Sequence, residues 1–488
     1  MNSIPQLGDT VLNFVDGRWQ AGADDKLTER FDPADRTALV GRAPDSSRED
    51  ARQAVEAAGR AAEAWRAWPA PRRGKLLFDW LAWLDAHKDH LAMLLTREEG
   101  KTIGESMGEV RRSLDILEYT AGFGRRLGGK VLPSEDESVF CYTNAQPLGV
   151  IGLISPWNFP VAIPVWKLAP ALVAGNACVL KPSPLTPMTA AMLVRGLEEV
   201  GLPAGVVNLV HGDAEPGAEL VANESVRGVS FTGSTHVGKL IARAASDRLL
   251  KLQLELGGKN PQIILEDADL DLAVAGVMAG AFGSTGQRCT ATSRAIVVGD
   301  VYDNFLGRVV ERAAAYRVGP GTQAGVEMGP LVDERAMAGV TRYVEAGRRE
   351  QARFRAGGEA MQGEGLERGF FYSPTVIEAG PDMEVAREEI FGPVLAVIRA
   401  ADLDEALRIA NAVRYGLTAS IFTRDVRRVF QFAERIESGM VHVNRPGIGG
   451  YSHAPFGGIK ESGYGGREVG DTVLDFYTEA RTVYVNYK

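Results

Sequence analysis

From Gly149 onward the chain alternates short apolar or β-branched runs with longer stretches of helical period, and this alternation constrains the fold more than any other feature. Strand-like runs fall at 150–154, 178–180, 206–210, 228–231 and 250–254, with helical stretches such as 189–200 and 235–245 between them. Parallel neighbours need a crossover, so this order predicts a parallel sheet with helices on both faces. After residue 262 a second alternation begins. Its strands are expected at 262–265, 294–298, 394–398, 419–422 and 440–443, and its helices at 270–282, 302–316, 403–413 and 426–435. No tandem repeat or low-complexity linker separates the two units. At 488 residues the chain exceeds one hydrophobic core, so two α/β domains meeting at a cleft are expected.

The rest of the chain reads differently. Residues 1–45 form an opening segment with short strands such as 13–17. The segment MNSIPQLGDTVLNF lacks a basic region and an apolar core, so no signal peptide is expected. From Ser47, followed by Glu49 and Asp50, the text turns helical to about residue 124. Pro71 sits where a first helical turn tolerates proline, and Trp65, Trp68, Trp80 and Trp83 read as core or interface filling. Residues 130–146 read as a hairpin excursion, and 482–487 as a lone strand without a local partner. Such pieces are candidates for pairing with each other or across a subunit boundary.

Composition narrows the function. A net charge of −9 leaves no basic excess for nucleic acid. No apolar run reaches the ~18 residues needed to span a bilayer. Six histidines without an HxxxH or CxxC pair argue against a metal site. Three cysteines in so long a chain do not make a disulfide framework; they suit a reducing, cytoplasmic compartment where a reactive thiol stays free.

Two reactive groups stand out between residues 252 and 290. Glu255 opens Glu255-Leu256-Gly257-Gly258-Lys259-Asn260-Pro261, and Cys289 lies in Gly286-Gln287-Arg288-Cys289-Thr290. A thiolate attacks carbonyl carbon to form a covalent intermediate, and a nearby carboxylate activates the water that resolves it. Alone, each piece reads as ordinary structure: a cysteine as a small core residue, a glutamate as the wet face of a strand.

Five further motifs follow the same logic. Gly233, Ser234 and Gly238 form a strand-to-helix turn with GxxxxG spacing, which departs from GxGxxG but offers helix amides to a phosphate. Lys181, in Val179-Leu180-Lys181-Pro182-Ser183-Pro184, follows a buried strand and alone would be a surface lysine. Ser155-Pro156-Trp157-Asn158-Phe159-Pro160 is a proline-stiffened loop. Arg387-Glu388-Glu389-Ile390-Phe391-Gly392-Pro393 and the glycine-rich run Pro455–Gly463, containing Phe456, complete the set.

Together and in this order, these six motifs resemble the NAD(P)-dependent aldehyde dehydrogenase superfamily, from about residue 13 to the C-terminus. The resemblance implies a Rossmann-like cofactor domain (1–129 and 147–255), a second α/β catalytic domain (256–470) and a small β oligomerisation arm (130–146 and 471–488) serving a homodimer or homotetramer. It implies Cys289 as nucleophile, Glu255 as base, and Asn158 with the Cys289 amide as oxyanion donors. It places Trp157, Lys181, Ser183, Gly233, Ser234, Gly238, Glu389 and Phe391 on the cofactor. Phe159, Trp166 and Phe456 fall along the substrate tunnel, and Glu468 on a proton path. Many NAD-preferring members carry a glutamate three residues after the lysine; here Pro184 stands there, so NAD with appreciable NADP use is expected.

The strings GQRCTATSR, NFPVAIPVWK and HVNRPGIGG resemble the branch that oxidises 2,5-dioxopentanoate. Arg288, Arg445 and His453 then become candidates for a distal carboxylate, since arginine binds carboxylates bidentately. The alternatives are a broad-range enzyme for aliphatic or aromatic aldehydes, with Arg288 turned to an acid at the domain interface, a coenzyme A-acylating enzyme, and a non-catalytic binding protein of the same fold.

Overall fold

The computed structural model describes residues 9–363 and 365–488; the first part of the opening segment, residues 1–8, lies outside them. The first sheet has eight strands. Its middle five run parallel in the order Val207–Leu209, Ala177–Lys181, Val150–Ile154, Val226–Thr232, Lys251–Glu255. The chain starts in the middle, at Val150–Ile154, winds outward one way, then returns to wind the other way. This makes a switch point between Val150–Ile154 and Val226–Thr232, where the loops at their carboxyl ends diverge and leave a crevice. All five residues of Val150–Ile154 and of Ala177–Lys181 are buried, as continuous apolar strands covered on both faces must be.

The second sheet has seven strands, ordered Arg353–Ala356, Thr375–Glu378, Val394–Ala400, Thr292–Val298, Asn260–Ile264, Thr418–Phe422, Met440–Val443. All pairs are parallel except Arg353–Ala356 against Thr375–Glu378. The strand Lys251–Glu255 ends the first sheet and Asn260–Ile264 opens the second, so residues 256–259 join the two domains.

The 47–124 region is helical. Ser47 caps Arg48–Ala67 through a reciprocal capping box with Asp50, and Pro71 lies in the first turn of Ala70–Ala86. Trp65 and Trp80 are fully buried. No helix among the described residues is long and apolar enough to cross a membrane.

The two distant stranded pieces find each other. Thr478–Asn486 pairs antiparallel with Val139–Pro147 over nine residues, and Val131–Leu132 adds the third strand. Two segments near the expected domain boundaries sit with the first sheet and its helices. Gly463–Tyr464 leaves the catalytic unit and pairs with Leu254 and Glu255 on the first sheet's edge, well before residue 470. Val473, Phe476 and Tyr477, expected in the arm, are instead buried in the core of the cofactor domain, so the arm strand starts at Thr478. Apolar burial decides this: three large side chains there have nowhere else to go.

Candidate active site

Five loops converge where the two sheets meet. Cys289 lies on the loop before Thr292–Val298, and Asn260 holds that loop: its Nδ2 donates to the carbonyls of Cys289 and Ala291, both at 2.8 Å. The paired glycines before it are required by close approach. A β-carbon at Gly258 would lie 2.4 Å from the Cys289 carbonyl oxygen, and one at Gly257 would lie 2.2 Å from Glu389 Oε2. Glu389 Oε1 accepts the Gly258 amide at 2.9 Å. The loop reaches this position through strained backbone: Ser284, Thr285 and Gly286 are all left-handed, with φ of 49°, 57° and 68°.

Glu255 ends its strand, buried, with Oε2 unpartnered and Oε1 against the backbone of Gly457, where a β-carbon would come within 2.4 Å. Burial and the neighbouring Glu468 push its carboxyl well above the ordinary range, with Lys167 opposing. Glu468 is buried in an ion pair with Lys167, and Ser230 bonds both. The half-buried Cys289 thiol is pushed up to about 12, by burial first and then by the carboxylates of Glu389 and Glu255. Cys141 and Cys178 are buried in strands.

The side chain of Cys289 packs in an apolar cluster with Ile116, Phe159, Trp166, Leu417 and Phe456. Trp166 and Phe456 lie 5.3 Å apart, ring to ring. Asn158 is buried, and its Nδ2 donates to the Gln287 carbonyl at 3.0 Å, which leaves one N–H of the amide to spare beside the thiol loop.

The features around the switch point fit a dinucleotide. Exposed Ser234 caps the twelve-residue helix Thr235–Ser246, whose amide end faces the crevice. Trp157 and Phe391 stand edge to face at 5.5 Å. Thr232 Oγ1 is buried without a partner. Lys181 is buried, not superficial; its Nζ donates to the carbonyls of Gly212 and Asp213 at 2.9 Å, and burial lowers it to about 8. Ser183 Oγ accepts the Leu185 amide. One expectation about the glycines changes. A β-carbon at Gly233 would meet the Phe231 ring at 2.5 Å, and one at Gly238 would meet Leu256 at 2.4 Å. Both glycines therefore also answer to close contacts inside the protein, Gly233 against the end of its own strand and Gly238 between its helix and Leu256.

Residues 19–483 match the model of the aldehyde dehydrogenase family. The chain belongs to the aldehyde dehydrogenase family. It is 43% identical to the alpha-ketoglutaric semialdehyde dehydrogenase of Bacillus subtilis, over 98% of each chain. It is also 43% identical to the 2,5-dioxopentanoate dehydrogenase of Saccharolobus solfataricus, over 96% of this chain and 98% of that one. Among solved structures, betaine aldehyde dehydrogenase from Staphylococcus aureus in complex with NAD+ superimposes with a TM-score of 0.95 at 33% identity, covering 97% of this chain and 94% of the other. The protein is an NAD(P)-dependent aldehyde dehydrogenase.

In this aldehyde dehydrogenase Arg288 does not face the substrate cluster as a free cation. Its guanidinium lies 3.2 Å from Glu105 Oε1 and donates to Ser284 Oγ at 2.7 and 3.0 Å. Glu105 also accepts the Ser284 amide at 2.6 Å, so the pair braces the strained loop. Arg445 is exposed over the Tyr451 ring, 5.8 Å from its centroid, and His453 stacks on the same ring at 5.5 Å.

Sequence reasoning missed the group that holds the Asn158 loop. Lys101 is buried and bonds Glu109 Oε2 and the Asn158 carbonyl, each at 2.7 Å, with Phe159 beneath it at 4.3 Å. Glu109 Oε1 takes the amides of Val161 and Ala162. Lys101 follows Gly100, a helix-ending glycine, and nothing in that spacing signals a long-range partner.

Proposed function

We propose that this enzyme oxidises a semialdehyde acid, with 2,5-dioxopentanoate first and succinic or glutaric semialdehyde next. The observation that carries the chemistry is that Cys289 packs with Phe159 and Phe456, while Asn158, beside Phe159, bonds the thiol loop and Glu255 lies against Gly457, beside Phe456. The substrate class is supported by near-full-length relatives named for alpha-ketoglutaric semialdehyde and 2,5-dioxopentanoate.

The steps follow from the groups in place. Cys289 sulfur attacks the aldehyde carbon as thiolate and gives a thiohemiacetal. Asn158 Nδ2 and the Cys289 amide donate to the developing oxyanion; losing one such donor typically costs ~10²–10³ in rate. The nicotinamide, when bound, accepts the hydride that converts this adduct to a thioester. Glu255 takes a proton from water, the hydroxide displaces sulfur, and the carboxylic acid leaves with the thiol restored. Lys181, Ser183, Glu389, Trp157 and Phe391, with the turn at Gly233, Ser234 and Gly238, are the residues that would hold the cofactor. Glu468, through Lys167, gives the Glu255 proton a buried neighbour to pass to.

The arm supports a homodimer or homotetramer: the outer edge of Thr478–Asn486 is exposed and pairs with no other strand among the described residues. Three free cysteines suit a cytoplasmic location. A broad-range enzyme is the second reading, favoured by the Arg288–Glu105 pair, which removes one candidate for a substrate carboxylate. Reduced-nicotinamide absorbance without coenzyme A, comparing a carboxylated semialdehyde with an uncharged aldehyde of equal length, decides between them. A preference for the uncharged aldehyde would favour the second reading.

A further inference from the structure

We propose that Arg112 receives the far carboxylate of the substrate and sets the enzyme's preference for semialdehyde acids; this rests on the semialdehyde reading above. Arg112 and Ile116 lie on one helix, Ile103–Ala121, one turn apart. Ile116 is buried in the cluster that holds the Cys289 side chain. Positions four apart stand on one face, about 5–6 Å from each other. Arg112 is therefore one helical turn beyond the apolar wall that leads to the thiol. A cavity of about 630 Å³ opens beside it, bordered by Arg112, Tyr119, Arg126, Tyr451 and His453.

The guanidinium is half-buried and makes no ion pair within 4 Å with any carboxylate among the described residues. Its side-chain hydrogen bond goes to the main-chain oxygen of Gly450. A guanidinium offers five donors, and withdrawing its charge from water without an anion is costly. A ligand carboxylate offsets that cost with two parallel bonds. The other cations nearby are engaged or exposed. Arg288 is paired with Glu105, Arg126 reaches Asp471 at 3.9 Å and covers the Tyr119 and Phe123 rings, and Arg445 is in solvent over Tyr451. The exposed acids Asp115 and Glu118 also line the cavity, and Asp115 favours the Arg112 charge from beyond ion-pair distance.

A second observation points to a polar ligand in the apolar cluster itself. Trp166, 7% exposed, has its Nε1 buried without an acceptor. A buried indole N–H normally finds a partner. The 2-oxo group between the aldehyde and the carboxylate of 2,5-dioxopentanoate is an acceptor of the needed kind.

The test measures kcat/KM for 2,5-dioxopentanoate and for pentanal in the wild type, Arg112→Gln and Arg112→Lys. The acid-to-pentanal ratio is expected to fall roughly ten- to a hundredfold in Arg112→Gln, chiefly through KM, and less in Arg112→Lys, which keeps charge but loses the fork. Glutarate should inhibit the wild type competitively and lose that effect in Arg112→Gln. If the wild type prefers the acid and both variants keep its full ratio, Arg112 is the wrong residue and the semialdehyde reading stands. If Arg112→Gln does not fold, an undiminished ratio in Arg112→Lys alone overturns the assignment. A wild type that prefers pentanal overturns both.

Discussion

The ammonium of Lys101 lies 2.7 Å from the main-chain oxygen of Asn158 and 2.7 Å from Glu109 Oε2. A buried ion pair thus fixes the loop that carries the oxyanion donor, from a helix far away in the chain. Removing one member of a buried pair costs about 3–5 kcal/mol. Glu109→Ala also frees the amides of Val161 and Ala162. It should lower the thermal midpoint by several degrees and kcat at least tenfold, with KM for the aldehyde little changed. A variant as active as the wild type would show that the loop holds itself.

The strained run before the thiol makes a second prediction. Gly286 has φ +68°, and a β-carbon there would lie 2.2 Å from the Gly392 carbonyl. Gly286→Ala should destabilise by about 2 kcal/mol or more and displace Cys289. Melting curves and alkylation of Cys289 by iodoacetamide measure the two effects. A normal melt with normal alkylation would mean the backbone adapts at no cost.

Burial and Glu468 raise the Glu255 carboxyl, so its base form is gained as pH climbs through that raised value and lost below it. Where hydrolysis of the thioester limits turnover, kcat should rise with pH along a limb that lies above the ordinary carboxylate range. Glu468→Gln removes the like charge and leaves Lys167 facing Glu255, so the rising limb should move to lower pH. A limb that stays in place would detach Glu468 from the base.

The family resemblance puts Pro184 at the position where many NAD-preferring members carry a glutamate, and Lys181 is buried three residues earlier. NAD should be preferred over NADP by less than about a thousandfold in kcat/KM, which is ~4 kcal/mol. A larger discrimination would mean that another residue supplies the repulsion.

The alternation of strands and helices was legible because apolar period and crossover length are local properties; the helix Val426–Arg435 and the strand Met440–Val443 match their expected limits. Cys289 and Glu255 were legible through the glycines that crowd them. Arg288 was left between a substrate carboxylate and an acid at the domain interface; its partner is Glu105, on a helix whose relation to the thiol loop exists only in three dimensions. Lys101, Glu109 and Arg112 were missed for the same reason: Glu109 and Arg112 are common charged residues at ordinary helical positions, and Lys101 sits in the short link before their helix. Gly463–Tyr464 was misplaced because two residues carry no period, and only pairing with Leu254 and Glu255 reveals the strand.

The division of labour between Cys289 and Glu255 is tested most directly by rapid mixing of Glu255→Gln with NAD and 2,5-dioxopentanoate, followed by intact mass. One equivalent of reduced nicotinamide per active site should appear in a burst, then turnover should stall with an acyl group on Cys289. Unchanged steady-state turnover with no adduct on Cys289 would contradict the account.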